Sequence, residues 1–363
     1  MDREQLQEHA VELLTKEKRL ICQWSTGVGK SGVVLRFLRD NPWMTCLILV
    51  PEQNNIENWE TEFSKFGIPM ENVRVVCYAS LHKYKNTSWD LLVFDEAPHM
   101  DTIKRRHICE SVDGSYVLAL GAVIDEEETS ALEHTYGHFV KSYVTMRRAI
   151  EWGILPSPTI NICHMSMDNT DRCFKYKGRN LTAKEMYDVL QSKVESAVVN
   201  YNANQNAFMK NNMLRAGNER KRFLGKLKEN AIGLIAANLM SKDIRFLCFC
   251  SSIDQAEKLG GSHAFTSKTP ASMKLLDKFN NHEIDSLFVV GKLIEGQNLV
   301  DIQHGILGQL GGTSRITVQS IGRVMRSKNP VIWVPTFDGT KDDSFLYTLT
   351  SNIPEDYIKH YNF

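Results

Sequence analysis

Lys30 and Ser31 end a short glycine-rich segment whose residue types are suited to holding phosphate. Gly27 and Gly29 allow backbone N–H groups to turn toward an anion, and a helix that starts here adds the positive end of its dipole. The Lys30 ammonium would then reach the outer phosphates, and the Ser31 hydroxyl would hold Mg²⁺. The segment therefore predicts a phosphate-binding loop, with the sequence Ser25-Thr26-Gly27-Val28-Gly29-Lys30-Ser31.

Two adjacent carboxylates, Asp95 and Glu96, supply the second half of this chemistry. They follow the apolar run Asp90–Phe94, which is typical of a buried strand. Hydrolysis of a nucleoside triphosphate needs one carboxylate to orient Mg²⁺ and one to polarise the attacking water. We assign Asp95 to the metal and Glu96 to the water.

The surrounding elements should bring these residues together. The loop lies between the apolar run Leu20–Cys22 and a segment whose apolar residues recur at helical spacing. Further short apolar runs alternate with helical patterns, which indicates a doubly wound parallel sheet. Ligands of such sheets bind beyond the carboxyl ends of the strands, where the loop and Asp95 are both expected. The additional predicted strands are Thr45–Val50, Val73–Tyr78 and Tyr116–Leu120.

The second half of the chain has a different organisation. From about Thr182 to Leu239 the pattern is helical, and a second series of strands follows it. We therefore predict an α/β protein with two lobes, and place an N-terminal lobe at 1–158, a basic helical segment at 159–241 and a C-terminal lobe at 242–363. The strands predicted in the C-terminal lobe are Phe246–Cys250, Ser286–Val290, His304–Leu307 and Val331–Val334.

Gln319, Arg323 and Arg326 could act on the same nucleotide from the second lobe. The two arginines are three residues apart, so they would share one face of a helix. Positive charge delivered to the γ-phosphate stabilises the transition state of phosphoryl transfer. A surface pair of arginines is the alternative interpretation of these residues alone.

Composition restricts the remaining possibilities. The formal net charge is zero, which argues against a protein that coats nucleic acid by bulk charge. Between Arg172 and Lys228, however, thirteen Lys and Arg residues face four Asp and Glu residues. This imbalance indicates a localised contact with a polyanion, for which the candidates are Arg215, Arg220, Lys221 and Arg222; a solvated helical surface is the alternative.

No apolar run is long enough to span a membrane, and the charged first residues do not resemble a signal peptide. The eight cysteines lack zinc-ligand spacing, and several lie in apolar runs. We therefore expect free thiols, no membrane association and a cytoplasmic location.

Taken in order, these segments resemble the motifs of superfamily 2 helicases, across both lobes. The most specific match is the QxxGRxxR pattern from Gln319 to Arg326. The segment Ala149–Pro156 also resembles DNA-directed members, including type III restriction motors and phage recombination helicases. The other matches are the glutamine element at Gln7, motif I at Gly27–Ser31, motif Ia from Val50 to Trp59, motif Ib at Ser80, motif II at Asp95–Pro98, motif III at Leu120–Val123, motif IV at Phe249–Ser251 and motif V at Glu295–Leu299.

The resemblance implies two tandem RecA-like lobes, ATP and Mg²⁺ as cofactors, and ATP-dependent movement on or unwinding of nucleic acid. It implies that Gln7 reads adenine, that Gly296 and Asn298 contact the nucleotide, and that Ser80 and Ser251 hold backbone phosphates. The expected partner is DNA rather than RNA, as a single strand, fork or junction, and the expected state is a monomer.

Three departures from the family pattern bear on function. Trp24 stands where a small residue usually precedes the loop, Gly121-Ala122-Val123 replaces Ser-Ala-Thr in motif III, and Asn298 replaces a frequent Asp. The altered motif III favours hydrolysis over strand separation. A translocase or annealing motor, a nucleic-acid-binding regulator with little ATPase, and a small-molecule P-loop kinase are therefore the alternatives.

Overall fold

The computed structural model describes residues 1–100, 112–268, 272–290, 299, 301–309, 322, 324, 327–351 and 353–363. These residues form two compact units. The first contains Met1–Ser157 together with Leu299, Gly322 and Val324, and the second contains the other described residues from Pro158 onward.

The first unit is built on a six-stranded sheet in which all neighbouring strands are parallel. Its strand order is β3-β2-β4-β5-β1-β6. The strands are β1 (Arg19–Trp24), β2 (Cys46–Val50), β3 (Val73–Cys77), β4 (Thr87–Phe94), β5 (Val112–Gly121) and β6 (Val140–Val144). The helices are α1 (Arg3–Glu17), α2 (Ser31–Asp40), α3 (Gln53–Phe66), α4 (Glu126–Tyr136) and α5 (Met146–Glu151), with 3-10 helices at Tyr78–Tyr84 and Ala97–Met100.

The second unit contains a seven-stranded sheet, also parallel throughout, and a small antiparallel hairpin. The large sheet has the order β11-β12-β10-β13-β14-β7-β15. The strands are β7 (Thr159–Met165), β8 (Phe174–Tyr176), β9 (Arg179–Leu181), β10 (Phe246–Cys250), β11 (Ala264–Phe265), β12 (Ser286–Val290), β13 (His304–Leu307), β14 (Val331–Phe337) and β15 (Ile358–Asn362). The helices are α6 (Ala183–Asn204), α7 (Ala207–Leu227), α8 (Glu229–Met240), α9 (Ile253–Gly260), α10 (Ser272–Asn280) and α11 (Lys341–Thr350).

The expected α/β class with two parallel sheets is confirmed. The wholly apolar runs became central strands because a parallel sheet is covered on both faces. All five residues of β2 and of β10 are buried, as this arrangement requires.

Three strands fall inside the segment 159–241 that was predicted to be helical: β7, β8 and β9. Thr159–Met165 forms β7, which lies between β14 and β15 in the second sheet. Asn161 and His164 interrupt its apolar run, so the sequence pattern was weak. Ile160, Ile162 and Cys163 are nevertheless fully buried.

Candidate nucleotide-binding site

The predicted phosphate loop connects β1 to α2. Gly27 and Gly29 have φ values of 87° and 101°, which lie in the left-handed region that favours glycine. The first turn of α2 has no side-chain cap, because the residue before it is Lys30 and its side chain makes no capping hydrogen bond. Backbone N–H groups at such a helix start fit an anion. The loop therefore fits a polyphosphate.

The structure explains why Trp24 can precede the loop. It is the last residue of β1, its side chain is fully buried, and its indole Nε1 donates to Ser142 Oγ of β6 at 2.9 Å. Only its main chain contributes to the loop, where its carbonyl oxygen accepts from Lys30 Nζ at 3.0 Å. A large residue is tolerated here because its side chain lies in the core.

Helix α1 contacts the phosphate loop through the side chain of Gln7. The Gln7 Nε2 atom donates to the carbonyl of Gly29 at 2.8 Å, and its Oε1 accepts from Arg36 Nε at 3.0 Å. The Gln7 side chain also lies close to Gly32 in the first turn of α2, where an added Cβ would lie 2.2 Å from Gln7 Nε2. The structure thus places Gln7 against the loop, with both ends of its amide engaged by protein groups.

Sequence reasoning missed Arg3. Its Nη2 donates to the carbonyl of Gly27 at 3.2 Å and to that of Ile154 at 2.9 Å, so it ties the loop to the segment after α5. Arg3 is the first residue of α1, where the helix dipole disfavours a cation. An arginine at this unfavourable position indicates that its side chain has a specific hydrogen-bond partner, and this was the signal in the sequence.

Asp95 follows β4, and its oxygen atoms accept three hydrogen bonds. Its Oδ2 accepts from Trp59 Nε1 at 2.9 Å, its Oδ1 accepts from the Glu96 backbone N–H at 3.0 Å, and its carbonyl accepts from the Tyr78 hydroxyl at 3.0 Å. Burial and the neighbouring Glu96 carboxylate raise the pKa of Asp95 to about 6, against the opposing effects of the Trp59 hydrogen bond and the Lys30 charge. Lys30 is therefore close enough to influence Asp95 electrostatically.

Glu96 has a φ of 47°, which is unusual for a residue with a side chain. Such strain is concentrated at functional sites, where the surrounding structure imposes it. The conformation places Glu96 at the turn between β4 and the 3-10 helix Ala97–Met100.

Gly322 of the predicted QxxGRxxR segment lies against Thr26 within the first unit. A Cβ at Gly322 would be 2.4 Å from Thr26 Cβ, so only glycine fits. The Thr26 Oγ1 atom is buried and has no hydrogen-bond partner among the residues that the structure describes. A buried hydroxyl of this kind is suited to accept a hydrogen bond from a bound group or to donate one to it.

The other predicted nucleotide residues are placed as follows. Val28 is buried, and Ser31 is the half-buried first residue of α2. Gly121, which belongs to the motif III match and was not predicted to bind nucleotide, ends β5 between β1 and β4 in the sheet. The remaining candidates lie outside the described residues: Gly296, Asn298, Gln319, Arg323 and Arg326.

The predicted phosphate-backbone serines have different surroundings. Ser80 is half-buried in the 3-10 helix Tyr78–Tyr84. Ser251 follows β10, and its Oγ is buried against Gly225 without a hydrogen-bond partner among the described residues. Gln255 ties the two segments together, since its side chain accepts from Ser251 N at 2.7 Å and donates to Gly225 O at 2.6 Å.

The basic residues of α7 divide between two faces. Arg220 points toward α6, where its Nη1 donates to Gln191 Oε1 at 2.5 Å. Burial and the adjacent Arg222 lower the pKa of Lys221. The opposite face carries a row of exposed, uncharged or basic residues at intervals of three or four, which we call the α7 stripe: Asn211, Arg215, Asn218, Arg222 and Lys226.

Three further findings concern metal-ligating side chains, apolar helices and cysteines. Within the described part of the chain, no group of three or more His, Cys, Asp or Glu side chains is arranged as a metal site. None of the described helices could span a bilayer, and the described cysteines are all free.

No protein-family model matches the chain, and no curated protein matches it either. Several solved structures, however, align with the chain. The Hef helicase domain of Pyrococcus furiosus aligns with a TM-score of 0.59 at 13% identity, over 94% of this chain and 97% of that one. The chain therefore shares the fold of this helicase domain.

Two restriction enzymes share this helicase-like fold. A fragment of a putative HsdR subunit of a type I restriction enzyme from Vibrio vulnificus gives a TM-score of 0.61 at 15% identity, over 99% of this chain and 67% of that one. The type ISP restriction-modification enzyme LlaBIII, solved bound to DNA, gives 0.59 at 13% identity. The chain spans 31% of the length of LlaBIII. At these identities the likeness establishes the fold.

Proposed function

We propose that this protein is an ATP-dependent motor that moves on or remodels nucleic acid, with DNA as the substrate. The observation that carries the proposal is the pairing of the β1–α2 loop with Asp95. Both lie at the carboxyl edge of one parallel sheet, and the Lys30 charge acts on the Asp95 carboxylate. Ligands of parallel sheets bind at this edge.

Each residue has a distinct role in the proposed reaction. The backbone of Thr26 to Ser31 binds the phosphates, and Lys30 leaves the Trp24 carbonyl to neutralise the outer ones. Mg²⁺ would be held by Ser31 and Asp95, and it would supply charge neutralisation of the triphosphate. Glu96 polarises the attacking water.

The sequence-predicted roles of Gln319, Arg323 and Arg326 remain part of the proposal. Arginine charge at the γ-phosphate would complete transition-state stabilisation. Gly322, a described residue of the same motif, lies against Thr26 of the phosphate loop.

The proposed DNA contact is refined by the α7 stripe. Arg215 and Arg222 are exposed, whereas Arg220 is bonded to Gln191. We therefore favour Arg215 and Arg222 over Arg220 as phosphate contacts. Contacts of this kind neutralise backbone phosphates without reading sequence.

The decisive experiment measures ATP hydrolysis with no polymer, single-stranded DNA, double-stranded DNA, forked DNA and RNA. We expect stimulation by DNA in the wild type, and none in Lys30→Ala or Glu96→Gln. Undiminished turnover by Glu96→Gln would overturn the site assignment. DNA binding without hydrolysis under every condition would instead indicate a regulator.

A translocase that does not separate strands is favoured by Gly121-Ala122-Val123 at the end of β5. These residues lack the two hydroxyls usual in this position. Displacement of a triplex-forming strand without unwinding of a fork would identify such a translocase.

A further inference from the structure

We propose that Trp59 and Tyr78 are positioning residues for ATP hydrolysis, which hold Asp95 and, through Tyr78, connect it to the 3-10 helix that contains Ser80. The inference rests on the proposed function for its setting. The contacts that carry it all lie within the first unit.

The two residues donate hydrogen bonds to two different groups of Asp95. Trp59 donates its indole N–H to Oδ2 of the carboxylate, and Tyr78 donates its hydroxyl to the main-chain carbonyl. Trp59 is 4% exposed and Tyr78 is 1% exposed, so water does not compete for these bonds. Trp59 therefore helps to orient the Asp95 carboxylate, and Tyr78 fixes the main chain of the same residue.

The bonds leave the carboxylate able to bind a metal. Oδ2 accepts one hydrogen bond from Trp59, and Oδ1 accepts one from the Glu96 N–H. A carboxylate oxygen has two lone pairs, so each retains one. Outer groups that orient a metal-binding carboxylate in this way usually have a large effect on metal affinity.

Packing holds the side chains of Trp59 and Tyr78 in the rotamers that reach Asp95. Tyr78 lies in the core cluster that contains Leu49 and Phe94. The Trp59 ring is tilted against Phe63, with a centroid separation of 6.0 Å. Tyr78→Phe would preserve this packing and remove only the donor, whereas Trp59→Phe would also remove the five-membered ring of the indole, a loss that the control Trp89→Phe shares.

The two donors belong to elements outside the phosphate loop. Trp59 lies in α3, which follows β2, and Tyr78 begins the 3-10 helix that contains Ser80. Ser80 is a proposed contact for backbone phosphate. A shift of this 3-10 helix on DNA binding would therefore move the carbonyl of Asp95 directly, through one hydrogen bond.

The test uses Trp59→Phe and Tyr78→Phe with two matched controls. Trp89→Phe removes an indole donor to Thr87 Oγ1 at the start of β4, and Tyr136→Phe removes a hydroxyl donor to the Val112 carbonyl at the start of β5. The acceptors of both controls lie at the starts of β4 and β5, whereas Asp95 follows the end of β4. Thermal unfolding of all four variants reports their folding.

Two readouts separate positioning from packing. The first is the Mg²⁺ concentration for half-maximal binding of a fluorescent ADP analogue, which we expect Trp59→Phe to raise about tenfold. The second is the ratio of kcat with and without double-stranded DNA, which we expect Tyr78→Phe to lower severalfold with KM for ATP unchanged. The control variants should match the wild type in both.

Failure of this inference is distinguishable from failure of the proposed function. A DNA-stimulated wild type whose Mg²⁺ midpoint and stimulation survive both substitutions would overturn the positioning roles alone. A wild type that hydrolyses no ATP, but whose Mg²⁺ midpoint rises in Trp59→Phe, would support the Trp59 role and overturn the proposed motor. Equal effects from the control variants would also overturn the inference.

Discussion

The side-chain amide of Gln7 is joined to the phosphate loop by a 2.8 Å hydrogen bond from its Nε2 to the carbonyl of Gly29. The same amide accepts from Arg36, so that one residue of α1 connects the loop with α2. The loop conformation therefore depends on a helix that precedes it in the chain.

This contact predicts a loss of nucleotide affinity that does not depend on the base. Gln7→Ala removes the brace on Gly29, and we expect the Kd values for ATP and GTP to rise by similar factors, on the order of tenfold for a missing hydrogen bond in a buried site. Equilibrium binding of both nucleotides checks this. A loss confined to ATP would instead indicate that Gln7 reads adenine directly.

The raised pKa of Asp95 predicts a specific pH dependence of stability. Its folded pKa of about 6 exceeds the ordinary value of 3.8, so the native state binds the proton more tightly than the unfolded state. This stabilisation is complete below about pH 4 and is lost as the pH rises to 6. Relative to Asp95→Asn, the wild type should lose up to about 1.4 kcal/mol per pH unit in that window.

Unfolding measured in EDTA, without nucleotide, tests this slope. The difference between wild type and Asp95→Asn should be flat above about pH 7 and below about pH 3.5, on the two sides of the window. A wild type that gains stability relative to the variant between about pH 4 and 6 would contradict the direction of the shift.

The α7 stripe predicts unequal effects of neighbouring arginines on DNA binding. Arg215→Ala and Arg222→Ala should each weaken binding to any sequence and lower the salt slope of log Kd by about 0.9 for each phosphate that the variant no longer neutralises. Arg220→Ala, which breaks the bond to Gln191, should leave the slope unchanged. Titrations of double-stranded DNA at several salt concentrations measure this difference, and equal slopes for the three variants would contradict it.

A buried ion pair in the second unit predicts a large effect on stability. Lys228 Nζ lies 2.6 Å from Asp342 Oδ2, and their side chains are 2% and 5% exposed. Lys228→Met should cost about 3–5 kcal/mol, because it leaves a buried carboxylate without its counter-charge.

The matched control for this pair is Lys258→Met. Lys258 pairs with Glu229, but its side chain is 67% exposed, so the expected loss is below about 1 kcal/mol. Chemical unfolding of both variants gives the comparison. Similar losses in the two would show that burial does not govern the contribution of Lys228.

Local patterns predicted much of this fold and the candidate site residues. The β1–loop–α2 unit was predictable because glycine conformation and helical periodicity depend on adjacent residues. The contacts of Arg3 with Gly27 and of Trp59 with Asp95 were not, since they depend on where separate helices lie. The fit of Trp24 before the loop was not predictable either, because it depends on the packing of its side chain against β6.

The place of β7 has a consequence for biosynthesis. Both of its neighbours, β14 and β15, come after residue 330, so β7 emerges from the ribosome long before either of them. Until then its two edges present unpaired backbone groups, which are prone to aggregation. Fragments that stop short of Val331 should therefore require chaperones or precipitate, even though the residues of the first sheet have all been synthesised.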